Sequence, residues 1–228
     1  MGSLDKDLPE FEIETLETAV LSAAQRTLVA GLFEANYQQA NHAYLEKSLG
    51  TLRFVSLAMR DGELVGFALG EPRTMDVPRL PRQMVGLAGL ACILPALRRK
   101  GLFMELARRA LLANVAPPTE RLLTGGRMAH AGAFRTMSRN PNVVPKRGVA
   151  PTRWQQEVGK AIADAFGVKA FDPETFVCTG SGKPIGYPVI ELEVTAEEQE
   201  LFRHVNRDRG DSLLGIAWNP TAPTGWED

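Results

Sequence analysis

The first part of the chain shows the period-two alternation of apolar and polar residues that β-strands have. Residues 11–16 alternate apolar and acidic side chains, which predicts a first strand. Two further stretches, 53–59 and 63–69, flank the dipeptide Asp61-Gly62, which is typical of two-residue hairpin turns. The sequence therefore predicts a strand followed, after an intervening helical region, by a β-hairpin.

A long apolar run marks the middle of the chain. Almost every residue from 84 to 94 is apolar, as in a central strand that is buried on both faces. A helix is predicted directly afterwards, over residues 102–115, because apolar residues then recur at helical spacing. These residues are Leu102, Phe103, Leu106, Ala107, Ala110 and Leu111.

Three more helices are indicated by capping boxes, in which a Ser or Thr precedes a Glu or Gln by three residues. The pairs are Ser22 with Gln25, Thr152 with Gln155, and Thr195 with Glu198. The first of these helices is expected to bury a stripe formed by Leu28, Val29, Leu32 and Phe33. A short helix over residues 131–139 is expected to stop at Asn140-Pro141, because the residue before a proline avoids the helical conformation.

The remaining segments complete a mixed α/β pattern. Further strands are predicted at residues 122–130, 176–179, 189–194 and 212–218. The Pro- and Arg-rich segment 71–82 and the tail after residue 218 are predicted to be exposed and irregular. We expect one domain over residues 1–228, with a core at 11–140, an insertion carrying an extra helix at 141–187, closing strands at 188–218 and a tail at 219–228.

The composition excludes several classes of protein. With 44% hydrophobic and 23% charged residues, the chain is an ordinary globular sequence and not a wholly disordered one. Its 26 Lys and Arg residues balance 27 Asp and Glu residues, so it has no overall attraction to nucleic acid or to an anionic membrane. We therefore expect neither nucleic acid nor a membrane as a partner.

The cysteines and the lengths of the apolar segments indicate the compartment. Cys92 and Cys178 are too few for a disulfide framework and predict two reduced thiols. No apolar run reaches the roughly 18–20 residues of a membrane span, and residues 1–6 lack the apolar core of an export signal. We expect a cytoplasmic protein; the pattern does not specify an oligomeric state or a metal site.

Three cations, Arg98, Arg99 and Lys100, precede the helix that begins near Leu102. The aligned peptide dipoles already make this end of a helix positive, by roughly half an elementary charge, so cations there are unfavourable unless an anion is present. Backbone N–H groups, the adjacent Gly101 and the cations together would form a phosphate-binding site. The alternative is a solvated basic loop, and charge alone leaves both interpretations open.

In this segment the sequence resembles the GCN5-related N-acetyltransferases, the GNAT superfamily. The family pattern is Arg or Gln, two residues, Gly, one residue, then Gly or Ala, and it falls on Arg98, Gly101 and Phe103. Phe103 stands where the family prefers a small residue. The preceding helix, the hairpin and the apolar strand follow in the family's order, so the resemblance covers about residues 11–140.

The resemblance implies a fold and a co-substrate. The fold would be a mixed central sheet splayed between its fourth and fifth strands, with helices on both faces. Acetyl-CoA or another acyl-CoA would place its diphosphate on the residues of the loop, and its pantetheine along the strand that ends at Ile93 and Leu94, whose backbone N–H groups would stabilise an oxyanion. The loop residues are Arg98, Arg99, Lys100, Gly101, Leu102 and Phe103.

Candidates for proton transfer are less clearly marked. The family often uses a Tyr on the helix after the fifth strand, but Tyr37, Tyr44 and Tyr187 all lie elsewhere. His130, at the end of a predicted strand, is the candidate base, with a histidine bonded to backbone as the alternative. Glu71, placed at the end of the hairpin, is the second candidate, and Tyr187 is expected on the acceptor side.

The resemblance predicts a CoA-dependent N-acyltransferase, with acetyl as the expected group, in which an amine of a small molecule or peptide attacks the thioester directly. Two alternatives keep the same fold. One is a regulatory or interaction module that binds acyl-CoA without turnover. The other is an acyltransferase that uses a long-chain or carrier-protein donor.

Overall fold

The computed structural model describes residues 10–115 and 121–228. The N-terminal residues on which the expectation about export depended lie outside these ranges. The strands are β1 (Glu12–Glu17), β2 (Tyr37–Gln38), β3 (Phe54–Arg60), β4 (Glu63–Val77), β5 (Leu80–Ile93), β6 (Leu122–Met128), β7 (Val143–Val144), β8 (Val177–Cys178), β9 (Tyr187–Pro188) and β10 (Ser212–Asn219). The α-helices are α1 (Ala23–Asn36), α2 (His42–Thr51), α3 (Leu102–Leu111), α4 (Ala131–Ser138), α5 (Arg153–Ala165) and α6 (Ala196–Glu200).

The described residues form two compact units. The first contains residues 10–71, 88–115 and 185–190, and the second contains residues 72–87, 121–184 and 191–228. The long strands β4 and β5 contribute to both units. Strands and helices are mixed in each, which confirms the mixed α/β class.

In the first unit the strand order is β1-β3-β4-β5. The β3–β4 hairpin turns at Asp61 and Gly62, whose φ angles of 52° and 81° are both positive, as the predicted two-residue turn requires. Helix α3 buries Leu102 and Leu106 in a cluster of residues from β1, β3, β4 and β5. A Cβ added to Gly70 would lie 3.0 Å from Ala110 of α3, so this glycine lets the helix approach β4 closely.

In the second unit the strand order is β4-β5-β6-β10-β7, and β8 also pairs with β10. Strands β6 and β10 are antiparallel, with Gly126 opposite Gly215. Helix α5 buries Val158 and Ile162. The predicted strand over residues 122–130 ends at Met128, because His130 already caps α4.

The capping boxes are confirmed at all three helices that the sequence marked, α1, α5 and α6. The predicted buried face of α1 was wrong at Leu28, which is 45% exposed. The helix instead buries Val29, Leu32, Phe33 and Asn36, a set spaced at intervals of three and four residues. Likewise, Phe103 lies outside the buried face of α3, and α3 ends at Leu111 instead of residue 115.

The prediction of an exposed loop over residues 71–82 was wrong. Strand β4 continues to Val77, β5 begins at Leu80, and Pro78 and Arg79 make the turn. Trp154 holds this tip, since its Nε1 donates a 2.7 Å hydrogen bond to the Pro78 carbonyl and the Arg79 guanidinium lies 4.9 Å from its ring centre. A tertiary contact between residues 76 positions apart in sequence has therefore outweighed the local preference of the Pro- and Arg-rich segment for a loop.

The tail after residue 218 is not exposed throughout. Trp226 is only 2% exposed and packs edge-to-face against Trp154 and Trp218, with ring centres 5.4 and 5.8 Å apart. Its carbonyl accepts a 2.8 Å hydrogen bond from Nε2 of Gln155. The tail is therefore irregular, as predicted, but Trp226 belongs to the core of the second unit.

The strand predicted at residues 189–194 was also wrong. Only Tyr187 and Pro188 form a strand, paired with β2, and Val189 and Ile190 are exposed. The strand is short because its partner β2 has only two residues. The segment beyond residue 190 instead lines the cleft described below.

Candidate functional site

The loop that joins β5 to α3 has an unusual backbone. Pro95–Leu97 form a single 3-10 turn, and Arg99 and Gly101 then both take positive φ angles, 66° and 90°. Gly101 occupies the N-cap of α3 in the left-handed conformation and supplies no side-chain cap. The amides of the first turn of α3 therefore point out of the helix start without a side-chain acceptor from the cap residue.

The charges around this helix start favour an anion. Arg99 and Lys100 are both exposed beside it. Glu105, in the first turn, is hydrogen-bonded to Arg108 and Arg109 at 2.5–3.0 Å. Burial raises the pKa of Glu105, but these hydrogen bonds more than offset it and lower the pKa overall. The carboxylate is thus neutralised within α3, and the start of the helix keeps its positive character.

Arg98 differs from the other two cations. Its Nη2 donates a 2.9 Å hydrogen bond to Oδ1 of Asn36, whose side chain is buried and itself donates to the Leu32 carbonyl. Arg98 is half-buried, and its guanidinium fastens the loop to the end of α1. The structure gives Arg98 an anchoring contact within the protein, and its predicted contact with the ligand stays a prediction.

The backbone directly after β5 is also hydrogen-bonded within the protein. The Leu94 amide donates a 3.0 Å hydrogen bond to the Val65 carbonyl, so the idea that this amide serves an oxyanion is corrected. Ile93 is buried in the cluster under α3. Beyond the loop, Phe103 and Met104 are exposed on the first turn of α3, which places apolar surface beside the cations.

A cleft of about 220 Å³ lies in the second unit. One side of it is formed by the residues that end β6 and begin α4, and the other by the segment around α6. Its lining residues are Ala129, His130, Ala131, Glu191, Leu192, Val194, Gln199, Phe202, Val205 and Arg207. The cleft thus combines an apolar surface with a small group of ionisable side chains.

His130 caps α4, because its Nδ1 accepts a 3.1 Å hydrogen bond from the Gly132 amide. Burial and the Arg207 guanidinium lower the pKa of His130, while Glu191 acts in the opposite direction. The ring is therefore neutral near pH 7, and its proton sits on Nε2, 3.7 Å from Oε1 of Glu191. This nitrogen presents a hydrogen-bond donor, whereas the predicted base would need a lone pair there.

Glu71 and Tyr187 are the other predicted proton-transfer residues, and both belong to the first unit. Glu71 lies inside β4, so its predicted place at the end of a hairpin was wrong. Tyr187 lies in β9 opposite Gln38, and both predicted residues are half-buried.

Burial raises the pKa of Cys92 to about 12 and that of Cys178 to about 11. Both thiols are buried, and neither forms a disulfide. They pack as small apolar side chains and carry no nucleophilic thiolate near pH 7.

Residues 10–115 and 121–228 lack two features, a metal-binding cluster and a membrane-spanning helix. No group of three or more His, Cys, Asp or Glu side chains there could hold a metal ion. No helix within the same ranges is both long and apolar enough to cross a membrane.

The sequence did not reveal most of the cleft. Glu191 and Arg207 form a 2.6 Å ion pair although they are 16 residues apart, and no helical or strand period relates them. The capping box at Thr195 was the one local indication of the cleft in the sequence. It marks α6, the helix between the segment that carries Glu191 and the segment that carries Arg207.

Neither a model of a known family nor a curated protein sequence matches the chain. Solved structures do resemble it. One is an aminoglycoside acetyltransferase from an uncultured soil metagenomic sample, with 18% identity, a TM-score of 0.32, and coverage of 44% of this chain and 66% of that one. Another is a ribosomal-protein-alanine N-acetyltransferase of Brucella melitensis biovar Abortus, with 17% identity, a TM-score of 0.39, and coverage of 57% and 89%.

A third is a GNAT-family acetyltransferase of Streptococcus pneumoniae, with 18% identity, a TM-score of 0.35, and coverage of 56% and 85%. The match to the first structure thus leaves about a third of that protein's length uncovered. Over 44–57% of its length, the chain is thus similar to three acetyltransferases, one of which is described as a GNAT family protein.

Proposed function

We propose that this protein is a CoA-dependent N-acyltransferase of the GNAT type, with acetyl-CoA as donor and an amine of a small molecule as acceptor. The observation that carries the proposal is the loop before α3. Its two positive-φ residues, Arg99 and Gly101, precede a helix start that has no side-chain cap, and the exposed side chains of Arg99 and Lys100 flank it. Such a loop suits a diphosphate.

The reaction needs little covalent chemistry from the protein. A neutral amine nitrogen forms a bond to the thioester carbon, the carbon–sulfur bond breaks, the nitrogen loses a proton and the sulfur gains one. The chain's residues would position the donor through the α3 start and hold the acceptor. His130 carries its proton on Nε2. It is therefore better suited to donate a hydrogen bond to the bound substrate than to abstract a proton from it.

A module that binds acyl-CoA without turnover is the second candidate. Two features favour it. Helix α4 carries no tyrosine that could serve as the general acid, and the Leu94 amide donates its hydrogen bond to the Val65 carbonyl instead of to an oxyanion. Release of free CoA thiol in the presence of a panel of amines distinguishes the two. Donor binding without thiol release supports the module, and acceptor-dependent release supports the enzyme.

The donor site is tested by thermal unfolding with and without CoA. At a CoA concentration about a thousand times Kd, binding should stabilise the folded chain by about 4 kcal/mol. The double variant Arg99→Glu with Lys100→Glu should lose most of this stabilisation. Both side chains are exposed, so the variant should fold.

The matched control is Lys169→Glu, which reverses the charge of an exposed lysine in the second unit. It should keep the full response to CoA. The proposal fails if CoA does not stabilise the unmodified chain at millimolar concentration, or if the control loses the response as fully as the double variant.

A further inference from the structure

We infer that the cleft beside His130 binds a small zwitterion with an apolar side chain, that is, a free amino acid of the leucine or phenylalanine type. The ligand's ammonium would contact Glu191 and its carboxylate would contact Arg207, which both line the cleft. Its binding is a property of the cleft alone, whereas its role as the acyl acceptor rests on the proposed function.

The charged residues at the cleft provide one partner of each sign. Nη1 of Arg207 lies 2.6 Å from Oε1 of Glu191, and both side chains remain partly open to solvent. A carboxylate accepts about four hydrogen bonds and a guanidinium offers five donors, so each can bind a ligand group while their own pair is kept. A zwitterion gives each of the two residues a further contact, whereas a simple amine or a simple acid contacts only one of them.

The charge balance of the cleft argues against a polycation. Glu191 is the only carboxylate among its lining residues, and Arg207 already offsets it. The other polar lining groups are His130 and Gln199. Gln199 is an uncharged amide, and His130 is neutral because burial and Arg207 lower its pKa. A ligand with several ammonium groups would find one carboxylate and a nearby guanidinium of like charge.

The apolar part of the cleft sets the size and nature of the ligand's side chain. Leu192, Val194, Phe202 and Val205 line it together with two alanines. Its volume of about 220 Å³ exceeds the roughly 150 Å³ of an apolar cavity that binds benzene. There is room for a branched or an aromatic side chain.

The wall that carries Glu191 is held in place by α4. Arg135 donates to the Glu193 carbonyl and to Oε1 and Oε2 of Glu198, the latter two at 2.5 and 2.8 Å. Glu198 in turn closes the capping box of α6 with Thr195. The segment that follows Glu191 is thus tied to α4 at Glu193 and at Glu198.

Calorimetric titration of the full chain, without CoA, tests the inference. The probes are L-leucine, 3-methylbutylamine, which lacks the carboxylate, and 4-methylpentanoate, which lacks the ammonium. L-leucine should bind about 10- to 100-fold more tightly than either analogue, because each analogue loses a hydrogen-bonded charge contact.

Two variants assign the contacts. Glu191→Gln should weaken L-leucine about 10-fold or more and should not weaken 4-methylpentanoate. Arg207→Gln should weaken L-leucine similarly and should not weaken 3-methylbutylamine. Asp164→Asn is the control, since it breaks an exposed 2.5 Å ion pair with Lys160 on α5, away from the cleft, and should change no affinity.

Three results would overturn the inference: no heat from L-leucine at about 10 mM, equal binding of L-leucine and 3-methylbutylamine, or tighter binding of a polycationic amino sugar such as sisomicin. The response of the melting temperature to CoA should be unchanged in both cleft variants. Failure of the amino-acid site and failure of the CoA site are therefore read from separate measurements.

Discussion

The guanidinium of Arg98 donates a 2.9 Å hydrogen bond to Oδ1 of Asn36, the last residue of α1. Asn36 is 4% exposed, and its backbone carbonyl accepts a hydrogen bond from the Val189 amide. This one residue therefore links the loop before α3 to the end of α1 and to the segment that follows β9.

Asn36→Ala should destabilise the protein by about 1–3 kcal/mol, because it leaves the half-buried Arg98 guanidinium without that acceptor. Arg98→Ala should cost a similar amount. Arg99→Ala, at an exposed neighbouring position, should stay within about 0.5 kcal/mol of the unmodified protein. Urea unfolding measures all three, and equal stabilities for the Arg98 and Arg99 variants would contradict an anchoring role for Arg98.

Trp226→Ala should reduce the free energy of unfolding by about 3–5 kcal/mol, as expected for loss of a buried aromatic side chain. Its ring fills the space between Trp154 and Trp218. Val149→Ala is the control, because Val149 is 59% exposed and its truncation should have little effect. If Trp226→Ala were as mild as the control, the tail would not be part of the core.

The two thiols should resist alkylation near pH 8 in the folded protein and react once it is unfolded. Burial raises the pKa of Cys92 to about 12 and that of Cys178 to about 11, so little thiolate forms. The unfolded chain loses these protons from about pH 9, so the unfolding free energy should fall as pH rises from about 9 towards 11. Rapid labelling of either thiol at pH 8 without unfolding would contradict the burial.

His130 should make the protein less stable at mildly acidic pH. Its pKa is lowered in the folded state, chiefly by burial, so below about pH 6.5 the unfolded chain binds the proton more readily and the unfolding free energy falls. In His130→Asn, the Asn side chain can still cap α4 but cannot titrate. Its stability should depend less on pH between about 5 and 7 than that of the unmodified protein, and identical pH profiles would exclude the effect.

Gly101→Ala should destabilise the protein by about 1–2 kcal/mol through backbone strain alone, because φ at this position is 90° and a Cβ there would meet no atom within 4 Å. Gly101→Asn should cost less, since Asn tolerates the left-handed conformation better. Equal losses for both variants in thermal unfolding would indicate a different cause.

The sequence predicted best what neighbouring residues determine. The capping boxes at Ser22, Thr152 and Thr195 involve residues three apart, and all three helices begin as expected. The turn at Asp61 and Gly62 is equally local. In the candidate site, the start of α3 directly after Gly101 was predicted for the same reason.

The failures share a non-local cause. The hairpin tip at Pro78 and the buried Trp226 both depend on Trp154, a residue distant from each in sequence. The ion pair of Glu191 with Arg207 and the contact of Arg98 with Asn36 likewise join separate segments. Hydrophobic periodicity reports the face of an element, but it does not report which element will cover that face.

The clustering of aromatic rings in the second unit has a spectroscopic consequence. The chain has three tryptophans, Trp154, Trp218 and Trp226, and all three belong to that cluster. Intrinsic fluorescence excited at the indole band will therefore report the second unit alone, while far-ultraviolet circular dichroism reports the helices of both. Unfolding curves that coincide by the two methods would mean that the units melt as one cooperative body, and curves that separate would resolve the stability of each.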